Sequence, residues 1–578
     1  MKQRILVLAV ASALMGLVAG CASNGPTTRQ AMAADSIYLG GPILTMNDAQ
    51  PGAEAVAVRS GRITAVGSRA DVLKLQGTNT RVVDLQGKTL LPGFVDPHSH
   101  LSVVGLQAVS ANMLPSPDGN NDSVAQLQEN LRRHMQTSPE ARELGIVLGF
   151  GYDDSQLKEQ RHPTREELDA VSSTVPVMVI HQSSHFGVLN SVALRQAGIS
   201  ASSVNPPGGV IGRQAGSQEP NGLLEENAFF AAAMRLMPQL SEKQASSWLS
   251  KAQDLYLQYG YTTVQDGRSS PDNVAQAIRA SESGVFKIDV VSYPDILELG
   301  DGKMMEGPYY SRDYTRHFRI GGVKMTLDGS PQGKTAWLTQ PYYKAPAGKP
   351  ADYAGYGVLP SEKANDLMAQ AMGKGWQVIA HANGDAAIDQ LIGAVRFAKE
   401  RVPAAKDPRP VLIHGQALRK DQVAQLDTLG IFPSLYPMHT FYWGDWHRDS
   451  VLGPERAENI SPTGWVLARG MRFTSHHDAP VAFPSSIRVL DATVNRTTRT
   501  GQVLGAEHRV EPMTALKSLT LWAAYQHFEE DRKGSIEPGK LADFVVLSDN
   551  PVTMPRNQLS TLKVLETIKE DQSVYHAK

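Results

Sequence analysis

Between about residue 90 and residue 480 the chain alternates short apolar runs with helical stretches. The runs are FVDPHSH, GIVLGFG, VPVMVIHQ, TTVQD, KIDVVS, GGVKMTLDG, WQVIAHANGD, RPVLIHG and RFTSHHD. The stretches include SEKQASSWLSKAQDLYLQYG, EKANDLMAQAMGKG and RKDQVAQLDTLG, the last two stopping at glycine as helices often do. Continuous apolar strands followed by helices predict a parallel sheet covered on both faces. Repeated this often, the pattern favours an α/β fold of the (β/α)8 barrel type over an open sheet. Residues from about 105 to 240 exceed what one strand-to-helix crossover needs and read as an insertion. The two ends of the chain read differently. SIYLGGPILTM, EAVAVRSGRITAVG and TRVVDLQGKTLL are β in pattern, with Ser60-Gly61 a hairpin signal. GSIEPGKLADFVVLSDNP (Gly534–Pro551) and LKVLETIKEDQSVYH repeat that character at the far end.

Composition narrows the field. With 41% hydrophobic and 20% charged residues the chain is globular, and a formal charge of −2 gives no electrostatic reason to bind nucleic acid. The first residues stand apart. Lys2 and Arg4 precede an apolar run from Ile5 to Leu17, too short to span a bilayer as a helix, and LVAGC follows. This resembles the lipobox of bacterial lipoproteins, which implies export, cleavage after residue 20, and a lipid on Cys21 that tethers the protein to a cell-envelope membrane. The alternative is an ordinary signal peptide with a coincidental cysteine. Residues 22–34 are small and polar, as in a flexible tether. Without Lys2 and Arg4 the charge moves from −2 to −4. Cys21 is the sole cysteine, so a lipid on it leaves no thiol for disulfides, nucleophilic catalysis or metal binding.

The candidate chemistry begins at PGFVDPHSH. On an extended strand residues i and i+2 share a side, so His98 and His100 can aim both rings at one point, which suits a metal ion. A bare His-x-His is commonly no more than two surface histidines. Here further metal-competent groups follow at the ends of later apolar runs: Lys324 in GGVKMTLDGS, His381 ending WQVIAH, His414 ending RPVLIH and Asp478 closing RFTSHHD. A barrel gathers the C-terminal ends of its strands at one mouth.

Together these segments resemble the amidohydrolase superfamily and, within it, amidohydrolase family 3, the YtcJ-like metal-dependent hydrolases. The carriers are PGFVDPHSH, HFGVLNSVAL, GGVKMTLDGSPQGKTAWL, VIAHANGDAAID, VLIHG, FTSHHDAPV and GSIEPGKLADFVVL, spread over roughly residues 36 to 570. The resemblance implies a composite β-sandwich domain from residues 35–91 and 534–578, with the barrel, 92–533, between them. It implies one or two divalent metal ions, commonly zinc: His98, His100 and Asp478 at the first, His381 and His414 at the second. Lys324 matches a lysine that CO2 converts to a bridging carbamate; the alternative is an ordinary amine beside one metal. The implied reaction is hydrolysis of a C–N bond other than a peptide bond in an amide, cyclic amide or N-acyl small molecule. Hydroxide generated at the metal attacks, and Asp478 acts as general acid and base.

Several points stay open. His476 and His477 stand where many relatives have a small residue; supporting or loop roles are expected, with His476 on the side of Asp478. The aromatic stretch Tyr436–Trp446 either walls the pocket or covers the barrel. Asp328, His185 and Asp266 are candidate pocket residues by position. Ester, lactone or deaminating hydrolysis would suit the same site, and a lipid-anchored solute-binding protein would suit the tether but gives no reason for the strand-end ligands. Oligomeric state, a homo-oligomer included, is not encoded legibly.

Overall fold

The computed structural model describes residues 33–578 apart from 208, 238, 347 and 404–406. The leader, Cys21 and all but the last two residues of the tether lie outside the described residues.

Eight parallel strands follow one another around a barrel. They are β1 (Phe94–Val95), β2 (Tyr261–Ser269), β3 (Asp289–Pro294), β4 (Phe318–Ile320, resuming after Gly321 as Gly322–Thr326), β5 (Gln377–Ala382), β6 (Val411–His414), β7 (Phe432–Leu435) and β8 (Thr474–Ser475). Each pairs in parallel with the next. The seam between β8 and β1 closes just beyond the strands, where Asp478 N–H donates to His98 O at 3.2 Å and His100 N–H to Ala479 O at 2.8 Å. Helices such as Ser361–Gly373, Asp385–Arg401 and Lys420–Leu429 cover the outside.

Burial on both faces is why the strands read as unbroken apolar runs. Val291, Tyr293, Ile379, Val411, Ile413 and Phe432 form one buried cluster, while the alternate residues Val290, Val323, Val378 and Leu412 join another with the surrounding helices. The inward phase therefore carries Lys324 and His381. The runs GIVLGFG and VPVMVIHQ are not barrel strands. They form Val147–Tyr152 and Val177–His181 in a separate six-stranded sheet that stands, with its own cores, between β1 and β2. The strand completing the barrel, β7, is not among the apolar runs named from the sequence and carries Pro433 within it.

The chain termini share one eight-stranded sheet, in which Phe544–Leu547 runs antiparallel to Thr89–Pro92. Ser60 and Gly61 both take positive φ (49° and 71°) in the hairpin between Gly52–Arg59 and Arg62–Gly67. The sheet curls so that Tyr38, Val56 and Val58 pack with Phe544, Val546 and Ile568. Buried charges tie this composite β domain to the barrel: Lys569 reaches Asp289 of β3 and Asp543, both at 2.9 Å; within the barrel, Glu529 takes Lys533 at 2.9 Å and Arg319 at 2.6 Å.

Candidate active site

Asp96 fixes the turn that follows β1. It is fully buried and accepts from His98 N–H at 3.0 Å, Gln265 N–H at 3.0 Å and the Ser99 hydroxyl. Gln265, on β2, donates its side-chain amide to Pro97 O at 2.8 Å, so its Oε1 faces His98 Nδ1 at 2.6 Å as an acceptor. His98 Nδ1 must then carry the proton, and Nε2 is left with a lone pair. That lone pair lies 3.0 Å from Lys324 Nζ and 3.4 Å from Asp478 Oδ1.

The same bookkeeping applies across the barrel. His381 Nε2 lies 3.1 Å from both Gly329 O, an acceptor, and the side-chain amide nitrogen of Asn383, a donor, and its Nδ1 is turned towards His414. His476 Nδ1 lies 3.1 Å from Ser434 Oγ and its Nε2 lies 3.0 Å from His414 Nδ1. With protons on His476 Nδ1 and His414 Nδ1, His414 Nε2 is also a lone pair, and it faces His381 Nδ1 at 3.1 Å. A proton shared between these two nitrogens, or a cation lying near both, satisfies that contact. His98, His414 and Asp478 each offer one atom to a set that lies within 4.8 Å of one another.

Electrostatics agree. Burial, then the neighbouring Lys324, holds His98 well below the usual imidazole range; burial and then His381 do the same for His414. Both are neutral, as ligands must be. Burial also lowers the Lys324 ammonium to about 7, with Asp478 opposing and Arg268 assisting, so a substantial fraction is free amine near neutrality. His100 completes the group, with Nε2 3.2 Å from Asp478 Oδ1. The donor set of imidazoles, a lysine and one carboxylate fits a divalent metal ion.

Two of these residues leave the strand pattern. His414 has φ +77° and Asp478 φ +56°, conformations unusual for residues bearing a Cβ. At His414 the turn brings the ring round beside His381, although Leu412, two residues earlier, packs outward. Strained backbone of this kind concentrates at functional sites.

All six residues anticipated from the sequence meet at the C-terminal ends of the strands. His100, Lys324, His381, His414 and Asp478 line a cavity of about 330 Å³, with His98 buried beneath. His477 turns the other way, its Nε2 3.3 Å from Asp96 Oδ1 and its ring against Tyr261. Two positional candidates are corrected. Asp328 does not line the cavity; its carboxylate accepts from the backbone N–H groups of Trp337, Asn383 and Gly384 at 2.8–3.0 Å. Asp266 does not line it either, since Ser102 and Ser269 take its oxygens. His185 does line it. Of the aromatic stretch, Tyr436 and His439 reach the cavity, whereas Trp443 and Tyr442 fasten the insertion through Asp153 and Asp118. Sequence reasoning missed Gln265, Arg268 and the apolar arm of the cavity, formed by Val103, Leu106, Ile180, Phe229, Phe230 and Met237.

Known proteins give the arrangement its context. Residues 81–575 match the model of the Amidohydrolase family. The chain is 27% identical to an N-substituted formamide deformylase of Arthrobacter pascens over 92% of its own length and 97% of that protein. It is 26% identical to the putative amidohydrolase YtcJ of Bacillus subtilis (strain 168), over 93% and 99%. The fold is also that of an uncharacterized metal-dependent hydrolase from Pyrococcus horikoshii OT3, with a TM-score of 0.71 at 22% identity, covering 90% of this chain and 99% of that one. This chain belongs to the amidohydrolase family and is a hydrolase of that type.

Proposed function

We propose that this enzyme hydrolyses the C–N bond of an amide, cyclic amide or N-acyl small molecule. The observation that carries the reading is the convergence of imidazole nitrogens, Lys324 and Asp478 on one end of the cavity. A relative that is an N-substituted formamide deformylase supports the choice of bond.

His98, His100 and Asp478 would hold one divalent metal, zinc in this reading, and His381 with His414 a second. Bound there, such an ion supplies Lewis acidity and lowers the pKa of water from 15.7 towards ~7. Lys324 is proposed to join as a carbamate: its neutral amine adds to the carbon of CO2 and releases one proton, replacing a donor-only group with an anionic acceptor. Asp478 holds its Oδ1 beside the Nε2 atoms of His98 and His100. In this mechanism it accepts a proton from the attacking water and returns it to the nitrogen as the C–N bond breaks, giving a carboxylic acid and an amine. Gln265 keeps the proton of His98 on Nδ1, and His476 Nε2 can take the Nδ1 proton of His414, so that His98 Nε2 and His414 Nε2 stay available. The apolar arm seats the substrate's hydrocarbon portion and excludes water from it.

The test is a panel of formamides, longer N-acyl amines, cyclic amides and matched esters, assayed with metal-reconstituted protein from residue 22 onward. Amide turnover that tracks bound metal is expected. Esters alone turning over, or a metal-free preparation working equally well, would overturn the assignment. We also propose export with lipid anchoring through Cys21, supported by the Lys2–Cys21 pattern. Radiolabelled palmitate should enter the protein and be lost in Cys21→Ala; label persisting in that variant would refute anchoring there.

A further inference from the structure

Two cavity-lining side chains have no part in the hydrolytic step just described: His185, from the insertion, and Arg268, near the end of β2. His185 Nδ1 lies 2.9 Å from Glu226 Oε2, and Glu226 N–H donates back to His185 O at 2.9 Å. A carboxylate only accepts, so Nδ1 carries a proton towards it. Glu226 sits at φ +48°, ψ −124°, which a residue with a Cβ avoids, and its other oxygen is buried with no hydrogen-bond partner among the described residues. The fold therefore holds Glu226 against its own preference, beneath one imidazole. Burial disfavours the imidazolium, but Glu226 outweighs it and the net shift of His185 is upward.

Arg268 donates its Nε to Asp295 at 2.9 Å and is about half exposed, at 48%. Among the described residues its terminal nitrogens meet no acceptor. It lies close enough to His185 to weaken that imidazolium. Around the cavity Asp478 is the one lining carboxylate, and His185 and Arg268 lie outside the group of nitrogens gathered about it. The helix Asn227–Leu236, which starts directly after Glu226, contributes Phe229 and Phe230 to the apolar arm, and the Phe230 ring lies 6.3 Å from that of His185. Cationic donors and an apolar wall thus adjoin.

We propose that His185 and Arg268 form a carboxylate-binding subsite, so that the preferred substrates are amphiphilic amides with an anionic group on one side of the scissile bond and an apolar group on the other. The bond in question rests on the C–N hydrolase reading; the subsite itself does not. His185 Nε2–H and the Arg268 Nη–H groups supply charge-assisted hydrogen bonds, which favour a carboxylate over a neutral amide.

Binding of 4-phenylbutyrate and 4-phenylbutanamide to the metal-loaded enzyme tests this by calorimetry, because the two differ only in charge and head group. The carboxylate should bind about tenfold or more tightly. The ratio should fall towards one in Arg268→Met, in His185→Gln and in their combination, with Arg268→Lys retaining part of it. Glu226→Gln, which removes the anion holding the imidazolium, should lower the ratio as well. A ratio near one in the unaltered enzyme overturns the proposal. So does a ratio unchanged in the double variant, which would mean that the metal captures the carboxylate. Turnover of N-(4-phenylbutanoyl)glycine and its glycinamide separates the two readings. Equal hydrolysis of both defeats the subsite and leaves the C–N assignment standing. Hydrolysis of neither, with the binding preference intact, supports the subsite and defeats that assignment.

Discussion

Adding one methyl group at Gly267 tests how firmly His98 must be held. A Cβ there would fall 2.4 Å from His98 Cε1, 2.6 Å from His98 Nδ1 and 2.6 Å from Gln265 Oε1. Ordinary contact begins at 3.4 Å, so the imidazole must retreat by about 1 Å, the difference between 3.4 and 2.4 Å. It has nowhere easy to go: the ring is fully buried, Gln265 is anchored to Pro97 O, and Lys324 Nζ lies 3.0 Å from Nε2. Overpacking of this kind costs about 1–3 kcal/mol of stability, which a chain of this size tolerates. A ligand displaced by about 1 Å costs on the order of 10²-fold in rate, and a disturbed ligand orientation about 10–100-fold in metal affinity. Gly267→Ala should therefore stay folded, lose metal on dialysis against a graded metal buffer, and lose about 10²-fold in kcat. Gln265→Leu is the companion: it removes the acceptor that fixes the His98 tautomer without adding bulk at residue 267. Metal content by mass spectrometry, thermal unfolding and kcat are read together. Normal metal retention and kcat in both variants would show that His98 needs neither restraint, and the ligand assignment at β1 would fall with it.

Three other outcomes are expected. Asp478→Asn should keep its fold and lose about 10²–10⁴ in kcat, the usual range for a general acid–base; activity within a few-fold of normal would remove the proton role. Phe230→Ala should lower kcat/KM by about tenfold for amides with long apolar groups, on the order of 1.5 kcal/mol of lost burial, and much less for formamides; an equal loss on both would mean that the helix, not the ring, matters. Glu529 provides the pH prediction. Burial would raise its carboxyl, but Lys533 and Arg319 lower it from 4.5 to about 2. A folded-state value below the unfolded one means stability that is present above about 4.5 and lost as pH falls towards 2. Glu529→Gln should flatten the fall in melting temperature across that window and, by leaving Arg319 buried without its partner, cost about 3–5 kcal/mol at neutral pH. An unchanged acid slope would refute the assignment to Glu529.

How far the sequence discloses this site depends on backbone phase. Strand alternation was enough for Lys324 and His381, which share the inward face with Ile379. It was not enough for His414 or Asp478, because a positive φ re-aims each, and apolar periodicity carries no trace of such a turn. Those two were legible only through the ordered motifs around them. Alternation could have chosen better at TTVQD. Val264 packs outward, so Asp266, a candidate by position, shares its face, and Gln265 is the residue that faces His98. Asp328 does share the inward phase of Lys324 and Thr326, and it failed as a pocket residue for another reason: three backbone N–H groups of later loops saturate its carboxylate. A proline lacks the N–H that a central strand normally contributes, so Pro433 argues against a strand at β7, yet Phe432–Leu435 pairs in register with Val411–His414. The apolar arm was hardest to foresee. NAFFAAAMRL reads as an ordinary amphipathic helix, and only the three-dimensional placement of the insertion turns Phe229 and Phe230 towards a metal site built by strands on both sides of it in sequence. The metal ligands proposed above thus lie at or near strand ends. The groups proposed to select substrate come mostly from the insertion, with Arg268 of β2, and variants of residues 185, 226 and 230 should change what the enzyme selects more than whether it holds metal.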